Sequence, residues 1–274
     1  MKSHIPELNE EDPFHIPESN ELVITGTASQ QIPSIFQHGM ITDAAHKFFY
    51  NGKLLQTCVY FEVLHRWQPI LVSWIGKENK ETYASHFFSL FTSIALQILE
   101  CQPEMRLSEF HSIISSVVDF LDAQRSGFET AYERFVTSTQ PGVQLLMREW
   151  QSDFYQFPSI EDHRSVARGL LKGCQQHWKE SVSRISRNHH IVSPEKETVF
   201  HDLITQMYGA RTIQAFEDSR ERIRAAFPHT SDWLNWWSRI EHASILFPVL
   251  RQSSSDLKHV SGFTTFRLEN KSLL

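Results

Sequence analysis

Two aspartates are the residues of this chain whose types and positions could do chemistry. Asp43 ends the strand-like run MIT, and Asp119 ends the apolar run IISSVV. Ligands in open α/β sheets bind at the carboxyl ends of strands. Two carboxylates at one sheet edge could hold a divalent cation against a phosphodiester. The pattern predicts a metal site formed by Asp43 and Asp119.

Each aspartate also has a structural interpretation. Asp43 precedes the hairpin signal Asn51-Gly52 and could be a turn residue. Asp119 could share the capping of the helix that follows, a role we assign to Asp122, which stands directly before that helix. A buried, unpaired carboxylate is costly, and the short apolar strand before Asp119 makes it the stronger functional candidate.

A Cys-x-x-His pair follows in LLKGCQQHW, formed by Cys174 and His177. A closed zinc site needs four ligands, and no second pair stands at a familiar spacing. His189 and His190 could complete such a site, but the spacing does not favour zinc. No protease signature surrounds the thiol, so we expect the pair to orient the active site or the substrate.

The segment around this pair is locally basic. Glu180 is the one acidic residue between Arg164 and His190. Such cations could neutralise phosphates, although a solvated helix face would look the same. The candidates for nucleic-acid binding are Lys172, Lys179, Arg184 and Arg187.

The bulk composition is that of a globular protein with one sizeable core, or one core with an inserted subdomain. The chain has 274 residues, 41% of them hydrophobic and 21% charged, with a net charge of −6. This charge argues against a protein that coats nucleic acid but allows one basic face. Three cysteines without paired spacing predict no disulfide framework, and no apolar run predicts a membrane partner.

The order of elements predicts a mixed α/β (α+β) fold. Strands are expected at 40–43, 54–64, 69–75 and 113–118, and a long helix at 79–100 separates the last two. Helical patterns dominate after 123, including one from Ser231 to Leu246. We divide the chain into an irregular extension (1–38), a core (39–190), a helical insertion (191–252) and an irregular tail (253–274).

Four segments resemble the transposase domain of Mutator-like elements (MULE), in the divergent type of fungal mobile elements. Their order and spacing, from about Gly39 to Pro248, are more specific than any one of them. The segments are ITDAAHKFF, SSVVDFLDAQRSGFETAY, LLKGCQQHWKESVSRI and WWSRIEHASILFP.

The resemblance implies a ribonuclease H-like core with a mostly helical C-terminal insertion and an Asp-Asp-Glu site for Mg²⁺ or Mn²⁺. Asp43 and Asp119 match the two aspartates. The glutamate should follow the insertion, where Glu269 precedes Asn270 without a supporting helix; Glu241 lies earlier. The implied activity is cleavage and strand transfer of DNA, in the nucleus, with self-association or a partner transposase.

The missing helix after Glu269 leaves open whether the chain is an enzyme. One hypothesis is a metal-dependent nuclease or strand transferase. The second is a catalytically dead or domesticated transposase fragment, truncated at its tail, that binds nucleic acid or a partner. A third is an unrelated α+β domain whose aspartates are turn residues.

Overall fold

The computed structural model describes residues 39–49, 51–151 and 159–253, in which five strands form one mixed sheet. The order across the sheet is β3-β2-β1-β4-β5; β2 is antiparallel to both neighbours, whereas β4 is parallel to β1 and to β5. This architecture confirms the predicted mixed α/β class. The strands are β1 (Met40–Phe49), β2 (Gly52–Phe61), β3 (Arg66–Ile75), β4 (Ser116–Val118) and β5 (Leu171–Gly173).

Eleven α-helices lie in the same described ranges, with single-turn 3₁₀ helices at Glu62–Leu64, Pro194–Lys196 and Pro228–Thr230. The helices up to the end of the sheet are α1 (Lys80–Cys101), α2 (Leu107–Ile114), α3 (Asp122–Val136), α4 (Pro141–Glu149) and α5 (Ile160–Leu170). Those after β5 are α6 (Gln175–Ser186), α7 (Glu197–Tyr208), α8 (Ile213–Ala226), α9 (Ser231–Trp237), α10 (Ile240–Leu246) and α11 (Pro248–Ser253).

A glycine directly precedes β1, beside the segment that leads into β4. Gly39 has φ +69°, and a Cβ there would lie 2.8 Å from the carbonyl oxygen of Ser115. The next residue, Met40, donates its backbone N–H to that oxygen at 2.9 Å. Only glycine allows both this backbone conformation and this approach, so Gly39 brings β1 and β4 together.

A buried hydrogen-bond network ties four strands to α1. The ring of His86 bonds Thr57 through Nε2 and Ser73 through Nδ1, each at 2.8 Å. The Thr57 hydroxyl lies 2.8 Å from that of Thr42, which lies 3.3 Å from the Ser116 hydroxyl. Burial lowers the pKa of His86 to about 3, so the ring is neutral in the network. The network places the side chain of Thr42 on the helix-covered face of the sheet.

The first hydrophobic cluster lies between this sheet face and α1 to α5. Aromatic rings fill it, with Phe128 packed edge-on against Phe87 and Phe91 at 5.0 and 5.1 Å. Among the described helices, α1 alone is long and apolar enough to span a membrane. Its apolar stripe, from Tyr83 to Ile98, is buried in this cluster, as expected of a core helix.

The second hydrophobic cluster joins α6 to the helices that follow it. Trp178 stacks on Trp233 with ring centres 5.2 Å apart. The Ser181 hydroxyl accepts hydrogen bonds from the indole N–H groups of Trp233 and Trp237, at 2.7 and 3.1 Å. The later helices therefore hold α6, the helix that carries His177, in place. The predicted boundary at residue 190 between core and helical insertion stays a prediction.

The structure differs from the predicted elements at several points, and the first two strands have other bounds than predicted, since β1 extends to Phe49 and β2 ends at Phe61. The predicted strand from Ile113 is wrong at its start, because Ile113 and Ile114 end α2, whose apolar residues recur at helical spacing. The strand β5 was not predicted, since its three residues depend on pairing with β4. The helix predicted over 231–246 is broken between α9 and α10.

Candidate metal centre at the sheet edge

Asp43 and Asp119 lie at neighbouring positions on one face of the sheet. Ile41 of β1 pairs with Val117 of β4 in parallel register. Side chains two residues apart on a strand share a face, so Asp43 comes level with Asp119, one residue beyond β4. This is the face opposite Thr42, and the Asp43 side chain is exposed there.

Both carboxylates act on the same neighbouring groups. Burial raises the pKa of the Cys174 thiol, and the charges of Asp119 and Asp43 raise it further; the backbone N–H groups of His177 and Gln176 act in the opposite direction. Burial is also the largest cause of the raised pKa of the Tyr83 hydroxyl, followed by Glu78 and then by both aspartates. The two charges therefore share one electrostatic neighbourhood.

Gln124, in the first turn of α3, bridges the two aspartate segments. Its side-chain Oε1 accepts the backbone N–H of Asp119 at 2.9 Å, and its Nε2 donates to the carbonyl oxygen of Thr42 at 3.0 Å. The side chain is buried, with 1% exposed. One amide thus fixes the residue before Asp43 against the backbone of Asp119.

Asp119 also lies beside the Cys-x-x-His pair. Its Oδ1 is 2.8 Å from Nδ1 of His177. The ligand atoms of Asp119, Cys174 and His177 all lie within 4.8 Å of one another. Cys174 directly follows β5, and its N–H donates to the carbonyl oxygen of Val118 at 3.0 Å. The parallel pairing of β4 with β5 therefore brings the pair to the aspartate.

The other predicted ligands do not join the group around His177. Asp43, His189 and His190 are not members of the group formed by Asp119, Cys174 and His177. His177 is in the first turn of α6, whereas His189 and His190 follow the end of that helix and are exposed.

Neither candidate for the third acid, Glu269 or Glu241, is found in the described part of the site. Glu269 lies outside the described residues, as do the extension 1–38 and nearly all of the tail 253–274. Glu241 is exposed in the first turn of α10 and does not belong to the group around Asp119. Asp122 is not the helix cap that we predicted: Leu121 precedes the helix, and Asp122 is its exposed first residue, paired with Arg125.

Three of the four predicted nucleic-acid-binding cations line one open groove of about 1010 Å³, which we call the α6 groove. Lys179, Arg184 and Arg187 are exposed along it, with Glu180 as its one acidic lining residue. The groove starts at Gln176, next to His177. The α6 groove is thus a cationic surface that begins beside the candidate metal centre.

Lys172 lies apart from the α6 groove. It stands in β5, where it pairs with Val117, and it is half-buried. Burial lowers the pKa of its ammonium group, and the charge of Arg251 lowers it further. The side chain of Lys172 therefore lies on the same face of the sheet as that of Asp119.

Sequence reasoning did not identify Gln124 or the approach of Asp119 to Cys174. A glutamine five residues after an aspartate carries no signal of its own. The one available signal for the approach of Asp119 to Cys174 was the segment LLKG before Cys174, which has the apolar start of a short strand.

Comparison with protein-family models, curated proteins and solved structures finds no match for this chain.

Proposed function

We propose that this chain is a transposase-derived protein with a ribonuclease H-like fold. In this proposal, Asp43 and Asp119 belong to an Asp-Asp-Glu type site for DNA cleavage and strand transfer. The fold proposal is supported by the sheet, in which three antiparallel strands are followed by a long helix and two parallel strands. The observation that carries the functional proposal is the parallel pairing of Ile41 with Val117, which makes the two aspartates neighbours.

The donor set at this edge suits a hard divalent cation. Two carboxylates, one exposed and one with 24% of its side chain exposed, leave room for the waters that Mg²⁺ or Mn²⁺ retains. When bound, such a cation would offset phosphate charge and lower the pKa of an attacking water or hydroxyl. The chain itself orients Asp119 through Gln124 and His177.

The α6 groove supports DNA as the substrate. Lys179, Arg184 and Arg187 form no ion pair within the described ranges, so their charges are available to phosphates. A backbone lying along the groove would reach the turn that carries His177, whose side chain is 46% exposed.

A nicking assay tests the proposed cleavage. The wild type should nick supercoiled plasmid in the presence of Mg²⁺ or Mn²⁺. Asp119→Asn should lower the nicking rate by at least about 100-fold, because changing a residue that only contacts a metal ligand already costs up to about 100-fold. Asp122→Asn is the matched control, because it removes an exposed carboxylate three residues away. Equal rates for the wild type and Asp119→Asn would contradict the proposal.

A second candidate function is a nucleic-acid-binding module without cleavage. The α6 groove favours it, because the groove needs neither aspartate and no third acid joins them in the described part of the chain. DNA binding by the wild type without metal-dependent nicking would select this function.

A further inference from the structure

We propose that Asp119, Cys174 and His177 form a binding site for zinc, with at least one coordination position open to solvent. This inference needs neither DNA nor Asp43, so it does not rest on the proposed cleavage. It rests on the position of three side chains of different chemistry around one point.

The distances fit one small ion. A tetrahedral zinc site with typical bond lengths separates its ligand atoms by roughly 3.3–3.8 Å. The carboxylate oxygen of Asp119 and Nδ1 of His177 are 2.8 Å apart, and the thiol of Cys174 completes a group within 4.8 Å. Shifts of about 1 Å would bring all three to bonding distance.

The three ligands favour zinc, a metal ion of intermediate softness, over a hard cation such as Mg²⁺. Thiolate and imidazole bind zinc well, whereas Mg²⁺ is held by oxygen ligands and retains water. Three protein ligands with a free position are typical of zinc sites that bind a water or a substrate. The site should therefore prefer zinc to Mg²⁺, even though Asp119 could serve both.

The backbone holds the three ligands in place before any ion binds. Asp119 is fixed by the bond from its N–H to Gln124, and Cys174 by the bond from its N–H to Val118. His177 is one residue from Trp178, which is buried in the second hydrophobic cluster. A ligand set that is already ordered loses little conformational entropy on binding.

The site is also accessible. His177 and Asp119 have 46% and 24% of their side chains exposed. Cys174 is half-buried, so its thiol is more accessible to an ion than a thiol in the core would be. An ion can therefore enter from the exposed sheet face without unfolding the protein.

Cobalt substitution tests the site through a readout that does not depend on activity. Co²⁺ added to the reduced wild-type protein should give a saturable thiolate-to-cobalt absorption band at one equivalent, and zinc should abolish it. A large excess of Mg²⁺ should leave the band unchanged. Cys174→Ser should lose the band, and His177→Gln or Asp119→Asn should weaken cobalt affinity at least about 10-fold.

Two control variants identify the ligands. Cys58→Ser removes another half-buried thiol, and Asp122→Asn removes a nearby carboxylate; both should bind cobalt as the wild type does. His177→Gln changes a half-exposed side chain and keeps the test valid if Cys174→Ser fails to fold. No band in the wild type, a band that survives in Cys174→Ser, or full affinity in His177→Gln would overturn the proposal.

Discussion

At the scale of single residues, Gln124 decides how the two aspartates stand relative to each other. Its amide accepts from the part-buried backbone N–H of Asp119 and donates to the buried carbonyl oxygen of Thr42. Any cation shared by Asp43 and Asp119 therefore depends on a residue that does not touch it.

Gln124→Met should destabilise the protein while keeping the volume of the side chain. It removes one hydrogen bond from a part-buried N–H and one from a buried carbonyl, and a buried group left unsatisfied costs about 1–3 kcal/mol. We expect the free energy of unfolding to fall by roughly 2–4 kcal/mol in urea denaturation.

The matched control for this change is Gln144→Met, at an exposed position of α4, which should stay within about 0.5 kcal/mol of the wild type. An effect of Gln124→Met no larger than that of the control would show that the bridge contributes nothing.

At the scale of elements, two buried histidines connect helices to the core. His86 links α1 to the sheet, and His111 of α2 lies 2.6 Å from the hydroxyl of Tyr132 in α3. Burial lowers the pKa of each ring to about 3. Both helices are therefore packed in a way that requires neutral imidazole.

This requirement predicts that acid destabilises the protein well above the range in which carboxylates titrate. Between pH 6.5 and 3 the unfolded chain binds a proton at each histidine and the folded chain does not, so stability falls as pH falls. The expected slope is about 1.4 kcal/mol per pH unit for each histidine. Urea denaturation between pH 6.5 and 5 measures it.

His86→Gln should lower the slope by the contribution of one histidine, about 1.4 kcal/mol per pH unit, whatever it does to the stability at pH 7. His229→Gln, at an exposed position, is the control and should leave the slope unchanged. A slope in His86→Gln equal to that of the wild type would mean that the ring is not buried in its neutral form.

At the scale of the whole molecule, net charge and local charge point in opposite directions. The chain carries −6 overall, yet the α6 groove gathers Lys179, Arg184 and Arg187 around a single Glu180. A polyanion would be repelled by most of the surface and attracted at this groove. Binding should therefore be local and sensitive to salt.

The double variant Arg184→Ala, Arg187→Ala should weaken binding to duplex DNA and flatten its salt dependence. Each lost phosphate contact lowers the slope of log affinity against log salt by about 0.9. Fluorescence anisotropy at several salt concentrations gives the slope. Arg222→Ala, exposed on α8 away from the groove, should leave both quantities unchanged; equal losses in the two variants would exclude the groove as the binding surface.

Local patterns along the chain predict most of the elements and the residues that carry their chemistry. Strand composition and the turn signal Asn51-Gly52 predicted the first three strands, although β1 continues past the predicted 40–43 to Phe49. Helical spacing predicted α1, α3 and α6, because these signals depend on neighbouring residues. The sequence also singled out Asp43, Asp119, Cys174 and His177 by type and position. It could not give the three-residue strands β4 and β5 their bounds, since so few residues form strands only when they pair.

Which of these residues meet depends on the packing of distant segments. The parallel pairing of β4 with β1 and β5 brings Asp119 between Asp43 and Cys174, and no local pattern encodes that pairing. It also joined Asp119 to His177 and left His189 and His190 at the far end of α6. The physical reason is that long-range contacts follow from packing the whole core, which sums many weak preferences over distant parts of the chain.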